Sequence, residues 1–307
     1  MELVHEKQTD PDRESACDVM VKVLARSASI EASPRQILAE NDQLGWIPAG
    51  TFVYVPFLPN AQYSETIDAC RQLLAEGLVP VPHFPARAIE SHGQASDWLE
   101  SLAALDVRHL MLIAGDRREP DGPFRDTLDL LATGILKDYP AFALGVAGHP
   151  DGHPFADRDE LIRALRIKRE YAAATGTSMW ITTQFAFEAN VFIDWLEATH
   201  CEIAPLPVYF GLAGPTKLRT LIAYAAQCGV GFSARAMRRR PNTARLLRAW
   251  TPDGLVRSLA GYRVEHPDAL LRGIHIFPFG GLKRSARWLY EQQGDDPPSL
   301  AASPSGG

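Results

Sequence analysis

Eight short runs of apolar and β-branched residues, separated by stretches with helical spacing, constrain the fold of this chain more than any other feature. They are SASIEAS (27–33), TFVYVPF (51–57), LVPVPH (78–83), HLMLIAG (109–115), FALGVAG (142–148), SMWITTQF (178–185), IAPLPVYF (203–210) and GIHIFPF (273–279). Runs this apolar on both faces suit a buried parallel sheet, and parallel neighbours need crossover segments. Residues 65–75, 95–105, 124–136, 159–173, 189–199 and 216–227 carry apolar residues near i, i+3, i+4 spacing and supply such crossovers as helices. With 307 residues, 46% of them hydrophobic, the chain can bury one large core. The expected fold is α/β, a single-domain (β/α)8 TIM barrel. An open doubly wound sheet fits less well, because the first strand-to-helix turn, EASPRQ, lacks a Gly-rich phosphate fingerprint.

The barrel is expected to span residues 25–292. ARAMRRRPNTARLLRAW and PDGLVRSLAGYRV, before the last strand, read as two extra helices. Residues 1–24 read as a polar extension, and 293–307 have the composition of a disordered tail. The net charge of −6 gives no global field toward nucleic acid or an anionic membrane. No run approaches the roughly 20 apolar residues of a membrane span, and the N-terminus lacks a signal peptide's apolar core. Cys17, Cys70, Cys201 and Cys228 show no metal spacing and read as reduced thiols. A cytoplasmic protein is expected, with small-molecule rather than nucleic-acid or membrane partners; homo-oligomerisation stays open.

In a (β/α)8 barrel the chemistry sits at the carboxyl ends of the strands. The polar residues closing the runs are Glu31, the 56–60 stretch, His83, Asp116, His149 with His153, and Gln184, with Lys283 after the last run. Glu31, inside the small and apolar SIEAS, is either a solvated strand-end carboxylate or a partly buried acid able to donate a proton near neutrality. Asp116 follows a strand and a glycine, and Gly-Asp at a strand end is often only a turn. His149 and His153 are four apart in GHPDGHP, but the prolines forbid the helix that would put both imidazoles on one metal. Lys168 is a solvated helical cation or a phosphate ligand, and Arg238, Arg239 and Arg240 read as a solvated basic run.

Five segments in order carry a more specific signal: SIEASPR (29–35), GD (115–116), GVAGHPDGHP (145–154), LRIKREYAAATGTSMWITTQFAFE (165–188) and LRGIHIFPF (271–279). Over roughly residues 27–290 the chain resembles the methylenetetrahydrofolate reductase family, in a short form without the C-terminal regulatory domain. The resemblance implies that 5,10-methylenetetrahydrofolate is reduced to 5-methyltetrahydrofolate with NADH or NADPH via FAD. It further implies that Glu31 is the general acid, that Asp116 stands near the pterin and flavin, and that Gln184 contacts the folate. His83 and His149 would contact the flavin and Lys168 its phosphates, while after the last strand FPFGGLKR replaces the family's Asn-Arg and leaves Lys283 or Arg284 as substitutes for that substrate contact.

The departures fall on the cofactor side. Ala114 stands where the family has arginine, and PFLPNAQYSET (56–66) replaces a Gly-Ala-Asn type loop. A flavin-free nicotinamide-dependent methylenetetrahydrofolate dehydrogenase or reductase is therefore the alternative, and a non-catalytic folate-binding barrel a further one.

Overall fold

The computed structural model describes residues 11–39, 43–58, 60–227 and 249–297. Eight parallel strands close into a barrel: β1 Ser29–Glu31, β2 Phe52–Val55, β3 Val79–Pro85, β4 His109–Ile113, β5 Ala143–Gly148, β6 Met179–Phe185, β7 Val208–Ala213 and β10 Leu271–Phe277. Each pairs with its neighbour in sequence, and β1 closes the ring by pairing with both β2 and β10. Thr216–Lys217 (β8) and Ala249–Trp250 (β9) form a small antiparallel pair outside the barrel. The fold is the TIM barrel that the alternating runs predict.

The crossover helices follow the predicted stretches: α3 Tyr63–Ala75, α4 His92–Ala104, α5 Thr127–Ala132, α6 Arg158–Thr175 and α7 Ala189–Ile203. A one-turn helix, α2 (Pro34–Ile37), replaces the first crossover. Its Ser33 and Gln36 form a reciprocal capping box that stops β1 directly after Glu31 and fixes that residue at the rim. Asp157 and Glu160 do the same at the start of α6, and Gly176, in a left-handed conformation, ends that helix. Most of the apolar core lies between the strands and the helices, where Ile30, Val53, Phe84, Leu112, Val146, Phe210 and Ile276 are fully enclosed.

Three boundaries differ from expectation. The seventh strand begins at Val208, because 203–207 holds the end of α7 and two prolines whose missing N–H groups cannot serve a ladder. Helix α8 begins at Leu218, Thr216 having joined the β8–β9 pair. Residues 11–24 do not form a loose extension: Pro11–Arg26 is a helix, α1, packed on β10 and on the helices α9 (Asp253–Glu265) and α10 (Leu282–Gln293). Its buried residues Val21, Leu24 and Ala25 form a narrow apolar stripe among charges. Of the two helices expected before the last strand, the second is α9; the first, with Arg238, Arg239 and Arg240, lies outside the described residues.

Candidate functional site

The inward-facing positions of the strands carry an unusual share of polar and aromatic side chains. Midway along the barrel, the Tyr54 hydroxyl meets Thr182 Oγ1 at 2.8 Å and accepts a hydrogen bond from Trp180 Nε1, also at 2.8 Å. Tyr54 packs against His275, ring centroids 4.3 Å apart, and Nδ1 of His275 bonds Ser29 Oγ at 2.8 Å. This network joins β1, β2, β6 and β10 and forms a satisfied polar floor.

Above the floor stand Glu31 and His83. Glu31 Oε1 lies 3.8 Å from His83 Nε2, and the two side chains are 21% and 13% exposed. Burial pushes the Glu31 carboxyl up to about 7 and holds His83 down at about 4. His275 is lowered to about 3, by burial first and then by proximity to His83. Near neutral pH the histidines are uncharged and Glu31 is poised between acid and carboxylate. Glu31, at the end of β1, is thus partly enclosed rather than freely solvated.

A second cluster lies where the loop after β5 meets α6 and α7. Lys168, 7% exposed, helps to line a pocket of about 420 Å³ together with His149, His153, Arg158 and Trp195. Burial lowers its ammonium to about 8, partly offset by the Asp126 carboxylate. Burial, His153 and Lys168 together hold His149 down at about 3. The imidazoles of His149 and His153 are 4.9 Å apart and nearly perpendicular. No group of three or more His, Cys, Asp or Glu suited to a metal occurs among the described residues. Asp151 and Asp194 also line the pocket, so its groups suited to an anion are the enclosed Lys168, without an ion pair among the described residues, and Arg158.

The remaining predicted residues are less engaged. Asp116 is exposed on the loop after β4, where Gly115 takes the left-handed φ of +91° that a tight turn requires. Gln184, at the end of β6, accepts the Phe185 backbone N–H through Oε1 at 3.0 Å, which leaves its amide N–H groups for another partner. Lys283 projects from the first turn of α10, with Nζ 4.1 Å from the Trp46 ring centroid. Among the predicted residues, Glu31 lies near His83, and His149 and Lys168 line one pocket.

Tyr54, Trp180, Thr182, His275 and Ser29 are the functional candidates that sequence reading missed. Their signal was present as a period of two: Ser29/Glu31 in β1 flank enclosed Ile30, and Trp180/Thr182/Gln184 in β6 alternate with enclosed Ile181 and Thr183. Phe185, Phe277 and Phe279 add an aromatic cluster beside Gln184 at the same rim, with Tyr224 stacked on Phe279 at 4.2 Å.

No family model matches the chain. A protein from Clostridium thermocellum, described as binding two copies of 5-methyl-5,6,7,8-tetrahydrofolic acid, superimposes with a TM-score of 0.56. The alignment covers 89% of this chain and 98% of that one at 13% identity. The likeness is one of fold. A stretch of 112 residues is 28% identical to methylenetetrahydrofolate reductase 1 of Schizosaccharomyces pombe, covering 34% of this chain. That stretch spans 18% of the relative's length. No helix among the described residues is long and apolar enough to cross a membrane.

Proposed function

We propose that this barrel is a folate oxidoreductase that reduces 5,10-methylenetetrahydrofolate to 5-methyltetrahydrofolate with NADH or NADPH, FAD carrying the hydride. The observation that carries this reading is Glu31: a carboxyl at the catalytic end of β1, mostly enclosed, with its pKa raised to about 7. Binding alone needs no such acid; proton transfer near neutrality does. The partial sequence likeness to a methylenetetrahydrofolate reductase and the fold shared with a methyltetrahydrofolate-binding barrel support the choice of substrate.

Opening the five-membered ring breaks a carbon–nitrogen bond whose electron pair stays on nitrogen, and that nitrogen needs a proton. Protonated Glu31 can supply it, and the carboxylate left behind stabilises the positive charge on the one-carbon unit. His83, neutral until about pH 4, packs beside Glu31 without taking that proton. Gln184 offers its amide N–H groups, which have no partner among the described residues, to the acceptor edge of the pterin, and Asp116 is the acceptor for the donor edge. The aromatic rim of Phe277 and Phe279 covers the flat rings and limits water. Lys168 would hold cofactor phosphates and His149 would pack against the cofactor; a buried cation without an ion pair among the described residues fits that role. A flavin or nicotinamide, when bound, supplies the hydride.

Direct transfer from nicotinamide without flavin is the second reading. Ala114 in place of an arginine and the exposure of Asp116 favour it, since both weaken the expected flavin contacts. The absorbance of the purified protein near ~450 nm, together with the effect of added FAD on activity, separates the two. Flavin absorbance or rescue by FAD supports the first reading, and full activity in a colourless protein indifferent to FAD supports the second.

A further inference from the structure

The opposite, amino-terminal mouth of the barrel holds a second cavity, of about 510 Å³. It is lined by the opening residues of the strands, among them Phe52 of β2, His109 of β4 and Ala143 of β5, with Tyr54, Trp180 and Tyr209 deeper. Barrels of this kind normally fill their interior with bulky branched side chains, so an aromatic-walled opening at this end needs an explanation. The walls rest on particular small residues. A Cβ on Gly145 would come within 2.7 Å of the Trp180 ring, and one on Gly273 within 2.9 Å of Tyr209. Ser29 and Ala143 contribute little volume, which keeps the centre open.

His109 stands edge-on to Phe52, centroids 4.9 Å apart, and to Trp180 at 5.9 Å, and its buried Nδ1 has no hydrogen-bond partner among the described residues. The hydroxyls of Ser29, Thr51 and Ser178 supply polar edges. The lining contains no carboxylate, and Arg26 at the mouth is its one cationic side chain among the described residues.

We infer that this cavity is a small-molecule site, separate from the Glu31 rim, for a flat fused-ring aromatic compound that carries no positive charge and whose anionic substituent, where present, lies at Arg26. Flat walls match flat rings through stacked and edge-on contacts. The volume is that of ordinary ligand pockets, about 300 to 1,000 Å³. Arg26, exposed at the mouth, favours an anionic over a cationic substituent there. Tyr54 and Trp180 line this cavity and also hold the polar floor beneath Glu31 and His83, so a ligand here touches the underside of the other site.

Calorimetric titration of the full chain with 2-naphthoate, 2-naphthol and 2-naphthylmethylammonium tests the inference. We expect one 2-naphthoate per chain and at least about tenfold weaker binding of the ammonium compound. Arg26→Gln should weaken 2-naphthoate about tenfold and leave 2-naphthol unchanged. Ala143→Leu, which fills the cavity, should abolish binding of both, and Ser178→Trp, which blocks it from an exposed position, should do the same if Ala143→Leu fails to fold. No binding at millimolar concentration, equal binding of the ammonium compound, or binding unaffected by the filling and blocking substitutions would overturn it.

Discussion

Oε1 of Glu31 stands 3.8 Å from Nε2 of His83, across the intervening strand β2. The separation exceeds a hydrogen bond, and His83, held down at about 4, carries no charge near neutrality. Glu31 therefore has a neighbour that fills space without fixing its proton. Its raised pKa follows from enclosure.

Glu31→Gln is expected to keep folate binding while lowering turnover by about two to four orders of magnitude, the range for a lost general acid. Equilibrium binding and steady-state rates on the same preparation check both halves. In the wild type, kcat/KM should fall as pH rises through about 7, where Glu31 loses its proton. Wild-type turnover in the variant would remove Glu31 from the chemistry.

The same substitution should change how stability depends on pH. Because the folded-state pKa of Glu31 lies above its unfolded value, its protonated form favours the fold at low pH, and that contribution is lost between about pH 4.5 and 7. Glutamine does not titrate, so the variant should gain on wild type across this interval by at most about 3 kcal/mol. His83, His149 and His275, with folded-state values lowered to about 4, 3 and 3, act oppositely, adding stability as pH rises toward 6.5. They are common to both proteins and cancel in the difference. Urea titrations at pH 5 and pH 8 measure it; a difference independent of pH would mean that Glu31 titrates as an ordinary carboxylate.

Lys168→Met keeps the bulk of the side chain and removes its charge. Binding of ADP, which carries the diphosphate without a redox ring, should weaken about 10- to 100-fold, the scale of a lost charged hydrogen bond. Unchanged ADP affinity would place the phosphates elsewhere.

Leu24→Ala tests whether α1 belongs to the barrel. Leu24 is enclosed where α1 meets α9, α10 and β10, and its truncation should cost about 2 to 5 kcal/mol of unfolding free energy. A loss below about 0.5 kcal/mol, the usual scale of a surface substitution, would return residues 11–26 to the status of an appendage.

The barrel was legible in the sequence because parallel strands buried on both faces are written as apolar runs, and those runs survive without knowledge of their partners. Helix α1 was obscured by charge: Val21, Leu24 and Ala25 are buried, but Asp12, Arg13, Glu14, Asp18, Lys22 and Arg26 interrupt the apolar residues along it. Glu31 stood out as the one acid in a small, apolar strand. Tyr54 and His275 did not, because an aromatic or a histidine inside a strand usually means ordinary packing. Only the closure of β1 on both β2 and β10 brings Ser29, Tyr54 and His275 together. The Lys168 pocket was similarly hidden, since helical spacing alone does not distinguish a solvated lysine from one enclosed by α7 and the loop after β5.

The most direct measurement is oxidation of NADH and NADPH by the purified chain in the presence of 5,10-methylenetetrahydrofolate, with and without added FAD, followed by identification of the folate product. We predict turnover that depends on the folate, yields 5-methyltetrahydrofolate and falls by about two to four orders of magnitude in Glu31→Gln. Folate bound without turnover under all four combinations of nicotinamide and flavin would contradict the account and leave a barrel that binds folate without transforming it.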